Sequence, residues 1–187
     1  MTLEETMKMI SFEILKGYNY RSLLPWTGMP RKDFKARCFD IIHSAEDACR
    51  EAGGTEEDAY ECKKQAMRQI AENNLFFFCV VVLEMTFADN DYVYRLCMDV
   101  QENKWNKIWI IAREHFKTTI ITEASTLWEL AKDSELTYLI NSYNESFSST
   151  CVEHIKTYCE KCKLLNELWP DVFWKDPARG YEDNEDG

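Results

Sequence analysis

Lys117 and Thr118 stand where a phosphate-binding loop would need them. The charged turn Arg113-Glu114-His115-Phe116 follows a short apolar run, Ile108 to Ala112, and Lys117-Thr118-Thr119 opens a segment of helical spacing. Strand, turn, lysine-threonine, helix is the order in which such a loop is built. Its backbone N–H groups and the positive end of the helix dipole hold a polyphosphate. In that chemistry the lysine reaches the β- and γ-phosphates and the following hydroxyl binds magnesium. The usual pattern, G-x-x-x-x-G-K-[ST], has glycine at two positions that are Ile111 and Phe116 here. Taken alone the motif is weak, because an ordinary helix start with a solvent-facing lysine fits the same residues.

Other residues invite chemical readings. His115 lies in the turn, where a packing role competes with that of a base. Cys151-x-x-His154 and Cys159-x-x-Cys162 carry good zinc ligands. On one continuous helix their eleven-residue span is about 16 Å, whereas four zinc ligands converge within about 4 Å of one another. Buried thiols are the better reading. Tyr92, Tyr94, Arg95 and Gln101 precede the loop, and Trp169, Phe173 and Trp174 form an apolar anchor for the last helix.

These residues must be held by elements, and the pattern suggests which. Leu3, Met7, Ile10, Ile14 and Leu15 have the spacing of an amphipathic helix over residues 2–17. Pro25, Gly28 and Pro30 make residues 21–31 a loop. Phe34, Cys38, Ile41, Ile42, Ala45 and Cys49 mark a helix face that Gly53-Gly54 ends. Thr55 then caps a helix with an acidic first turn, running to about Asn73. Residues 74–87 read as a buried helix, although Val80-Val81-Val82 has strand propensity. Asp89-Asn90-Asp91 caps the next helix. From there the pattern becomes strand 107–112, helix 117–132, strand 136–141 and a helix from about 145 to 166. Two strands joined by a helix predict a parallel βαβ unit with a right-handed crossover.

Length and composition set the frame. A chain of 187 residues, 45% hydrophobic and 29% charged, has the makings of one folded core with a helical appendage. Its formal charge of −11 argues against a free-standing nucleic-acid binder. The N-terminus lacks the basic-then-apolar order of a secretory signal, so the eight cysteines are expected as reduced thiols. The longest apolar run, Leu75 to Leu83, is far short of the ~20 residues of a membrane span. Residues 176–187 carry five acids against one arginine and are expected to be solvated.

Several runs together resemble the large subunit of tailed-bacteriophage terminases. They are Asn74 to Phe78, Tyr94 to Cys97 with Val100-Gln101, Ile108 to Thr122, Leu139 to Glu145, His154 to Lys156, Cys159-Glu160 and Leu168 to Trp174. The similarity covers roughly residues 74–176, and its most specific part is Ala112 to Thr119, which looks like the family's glycine-poor phosphate loop. Such subunits are ATP-driven motors that feed double-stranded DNA into a procapsid, with a P-loop ATPase followed by a nuclease. They work with a portal and a small terminase subunit in the host cytoplasm.

The resemblance implies an α/β fold: an incomplete P-loop NTPase core over 74–176, preceded by a mainly helical region 1–73 and followed by an acidic disordered tail, 177–187. It implies ATP and Mg²⁺ as cofactors. Arg113 takes the loop's arginine position near the γ-phosphate, the catalytic role. Glu114, His115, Phe116, Lys117, Thr118 and Thr119 form the cradle, with Thr118 the magnesium ligand. Gln101 and the nearby tyrosines lie where the family holds adenine. The chain departs from the family by stopping before the acidic magnesium motif and the nuclease, so negligible hydrolysis by itself is expected. The competing expectation is a non-catalytic helical interaction protein with a vestigial loop.

Overall fold

The computed structural model describes residues 28–102 and 108–173, together with Asn19. The chain divides into two compact units between Asn73 and Asn74. Readings that fall on residues 1–18, 20–27, 103–107 and 174–187, including the first amphipathic helix and the acidic tail, lie outside the described residues.

In the first unit, α1 (Arg31–Glu51) and α2 (Glu56–Asn73) form a helical hairpin. The face marked by Phe34, Cys38, Ile41, Ile42, Ala45 and Cys49 is buried on α1, and Ala59, Cys62, Ala66 and Ile70 are buried on α2. Small residues on α2 leave room for the bulkier α1 side chains. The connection is made by local chemistry. Gly53 adopts φ 89°, its N–H bonds to the Arg50 carbonyl, and the Gly54 N–H bonds to the Cys49 carbonyl at 2.9 Å. These are the two bonds of a Schellman ending. Thr55 Oγ1 then accepts from the Asp58 N–H, while the Asp58 carboxylate accepts from the Thr55 N–H, a reciprocal cap for α2. Arg50 bridges the turn to Glu56 and pairs with Glu46 and Asp47 on its own helix.

The second unit begins with Asn74, whose side chain accepts from the Phe77 N–H at 2.8 Å and so starts α3 (Leu75–Phe77). A π-helical segment, Phe78–Val82, continues it, and a 3₁₀ turn, Thr86–Ala88, follows. The buried-helix reading of residues 74–87 therefore holds for residues 75–82, three of them α-helical and five wound as a π-helix. Asn90 caps α4 (Asp91–Gln101) by accepting from the Val93 N–H. A second π segment, Thr118–Ala124, runs into α5 (Ser125–Lys132). Asn144 caps α6 (Glu145–Lys161), and a break at Cys162 precedes α7 (Lys163–Leu168). Trp169 is fully buried with its ring edge-on to Phe78 at 5.8 Å, in keeping with an anchoring role.

The expected parallel βαβ unit does not form. Among the described residues every regular element is helical, so the observed fold is all-helical and not α/β. Residues 108–112 and 136–142 have no regular secondary structure. Ile108 is 88% exposed, Ile110 95% and Leu139 91%. The β-branched composition of these segments describes a preference for a pleated, half-buried surface. A preference of that kind is realised only against a neighbouring strand, and among the described residues neither segment has one.

All eight cysteines are free thiols, six of them buried. Cys162 Sγ donates to the Val82 carbonyl at the end of the first π segment, at 3.0 Å. Burial raises the thiol pKa of Cys159 to about 11. His154 is occupied elsewhere: its Nδ1 lies 2.9 Å from a carboxylate oxygen of Glu123, a buried residue of the second π segment. Among the described residues no group of three or more metal-ligating side chains converges.

Candidate functional site

The loop expected to hold phosphate takes a definite shape. Glu114 has φ 64° and Phe116 φ 56°, two of the three left-handed non-glycine residues among those described. Such a conformation costs an L-residue about 1–2 kcal/mol. The glycine pattern calls for a permissive residue just before the lysine, and Phe116 adopts the left-handed backbone there without being glycine. What holds it is packing: the Phe116 ring stacks on Phe87 at 5.1 Å with 29° between planes. Strain kept in place by its surroundings is a frequent mark of a functional loop.

Lys117 closes the turn. Its Nζ donates to the Ile111 carbonyl, six residues back, at 3.2 Å. The ammonium carries three donors, so this bond leaves two for a ligand. The Ile120 N–H bonds to the Phe116 carbonyl, so the helix starts directly at the lysine. Its first N–H groups have no partner within the helix, and the positive end of its dipole faces the loop. Inside the π segment and α5, the Ser125 hydroxyl donates to the Ile121 carbonyl, and the Thr126 hydroxyl donates to the Thr122 carbonyl at 2.6 Å. Arg113, Glu114, His115 and Lys117 are exposed, while Thr118 and Thr119 are half-buried.

Beside the loop is an open groove of about 510 Å³ between α4 and residues 109–112. Tyr92, Arg95, Asp99, Trp109 and His115 supply its aromatic and charged lining. Two residues expected here do other work. Gln101 Oε1 accepts from the Leu75 N–H at 2.9 Å, so its amide caps the start of α3. Tyr94 meets Phe76 edge-on at 5.0 Å and packs within the unit. Asp99 and Trp109 carry the groove in their place. Spacing offered a signal for Asp99, which lies one and two turns of α4 beyond Arg95 and Tyr92. Nothing in the pattern marked Trp109, which read as part of a buried strand.

The arrangement brings Arg113 to Thr119 together in one turn and sets His115 against Tyr92. It does not bring Gln101 to the groove, and among the described residues it provides no strand ends to carry further carboxylates. A magnesium ion commonly takes one or two protein oxygens and completes its shell with phosphates and water. Thr118, half-buried at the helix start, is the residue whose hydroxyl would supply such an oxygen. No protein-family profile, curated protein or solved structure matches this chain.

Proposed function

We propose that residues 111–119 bind the triphosphate of Mg²⁺-ATP, and that the chain is the ATP-binding portion of a DNA-packaging motor of the terminase large-subunit kind. The observation that carries the reading is the left-handed backbone at Phe116 together with the fold-back of Lys117 onto Ile111. A loop of glycine-poor sequence thereby acquires the curvature that the glycine pattern normally provides. Lys117 neutralises phosphate charge, Thr118 coordinates the ion, Thr119 adds a hydroxyl at the helix start and Arg113 supplies a second cation. When bound, magnesium would offset phosphate charge, and Thr118 is the residue that would hold it. The nucleobase enters the groove beside Tyr92, Arg95 and Trp109. In the assembled motor the wider partners are double-stranded DNA, the portal and the small terminase subunit.

Positioning and charge neutralisation are what phosphoryl transfer asks of a protein, and activation of water is a separate requirement. The loop addresses the first of these only. The isolated chain is therefore a nucleotide binder, with turnover far below the roughly 1–10³ s⁻¹ of ordinary enzymes.

A second reading is favoured by the helical architecture itself. The hairpin α1–α2 and the absence of strands among the described residues suit a non-catalytic interaction protein with a vestigial loop. Titration of a fluorescent ATP analogue against the wild type and Lys117→Ala separates the two. Saturable binding weakened tenfold or more in the variant, the scale of a lost charge-assisted hydrogen bond, supports the nucleotide reading. Absence of binding in both proteins supports the interaction reading.

A further inference from the structure

We infer that His115 is the positioning residue that joins the two halves of the proposed nucleotide site, the phosphate loop and the groove beside α4. The inference rests on reading the loop as a triphosphate site. His115 faces both halves at once. Its Nδ1 lies 2.7 Å from the Arg113 carbonyl, and since a carbonyl can only accept, Nδ1 carries the proton. That bond spans Glu114, the residue at φ 64°, and ties together the two sides of the left-handed step. The ring meanwhile meets Tyr92 edge-on at 5.7 Å and forms part of the groove wall with Arg95, Asp99 and Trp109.

Two consequences follow from this double engagement. The Nδ1 bond shapes the loop for phosphate whatever is attached to the phosphate. The ring, by contrast, bears only on a ligand that also fills the groove. Asparagine separates the two, because its carboxamide N–H can reach the position of Nδ1 without providing a ring. Alanine removes both.

The test is calorimetric titration of the full chain with Mg²⁺-ATP and with Mg²⁺-tripolyphosphate. Wild type is expected to prefer ATP by about tenfold, the scale of an aromatic contact. His115→Asn, which keeps an N–H but not the ring, should bind tripolyphosphate more tightly than His115→Ala does and lose most of its preference for ATP. His115→Ala should in addition bind tripolyphosphate about three- to tenfold more weakly, as expected for one lost hydrogen bond. Retention of the ATP preference by His115→Asn, or of full tripolyphosphate affinity by His115→Ala, overturns the inference. Equal wild-type affinity for both ligands overturns it too, while leaving the loop reading intact. A wild-type chain that binds neither ligand removes the loop reading and this one with it.

Discussion

The hairpin α1–α2 and segment 108–112 carry apolar residues of the same kinds and use them in opposite ways. On α1, Ile41 is fully buried against a partner helix joined by a four-residue turn. In segment 108–112, Ile110 is 95% exposed. A helix satisfies its own backbone and needs only one apolar stripe covered. A strand leaves its backbone groups to a neighbour, so the same side chains have no use until a neighbour is present. The difference teaches that apolar periodicity reports a demand for burial, and that only local elements can meet the demand from within their own stretch of chain.

The comparison can be broken most forcefully by truncating one isoleucine from each region. Ile41→Ala is expected to lower the free energy of unfolding by about 2–5 kcal/mol, through lost transfer energy and a cavity. Ile110→Ala should change it by less than about 0.5 kcal/mol, as surface substitutions usually do. Chemical denaturation of both variants measures this. Equal losses would mean that Ile110 is buried in solution and that the segment has found a strand partner.

A smaller effect sharpens the contrast at the loop. Phe116→Ala keeps the left-handed backbone but removes the ring on Phe87, so a loss of about 1–2 kcal/mol is expected. Phe116→Gly removes the same ring and also relieves the backbone, recovering about 1 kcal/mol of that loss. Thermal melts that rank glycine below alanine would show that Phe116 is not held at positive φ.

The smallest effect belongs to the hairpin's charges. Glu46 accepts from Lys63 at 2.9 Å and from Arg50 at 2.7 Å. The Lys63 hydrogen bond, followed by that of Arg50, holds its carboxyl below the usual value of 4.5 against the opposing effect of burial. A carboxyl depressed in the folded state contributes stability above its unfolded value and loses it as pH falls through the folded one. Melting temperature should therefore decline below about pH 4.5, and Glu46→Gln should decline less. The contribution is about 1 kcal/mol or less, because the pair is partly solvated.

How much of this was legible beforehand differs by element. The face of α1, the Gly53-Gly54 ending and the Thr55 cap were readable because each depends on residues within a turn or two of one another. Asn90 as a cap was readable for the same reason, having been one of three candidates in Asp89-Asn90-Asp91. The strands expected at 107–112 and 136–141 do not form because β-propensity states a preference that a partner must complete. Gln101 was misplaced because its target, the Leu75 N–H, is 26 residues away in sequence.

Composition and spacing alone determined the helical hairpin, its caps, the position of Lys117-Thr118 at a helix start and the lack of an apolar run long enough for a membrane span; among the described residues no helix is long and apolar enough to cross one. These follow from interactions between near neighbours, which any local window contains. Tertiary structure decided the rest: that Phe116 turns left-handed by stacking on Phe87, that His115 meets Tyr92, that Glu123 pairs with His154, and that segments 108–112 and 136–142 form no ladder among the described residues. Each of these depends on two stretches of chain meeting across many residues, and no pattern within either stretch encodes the meeting.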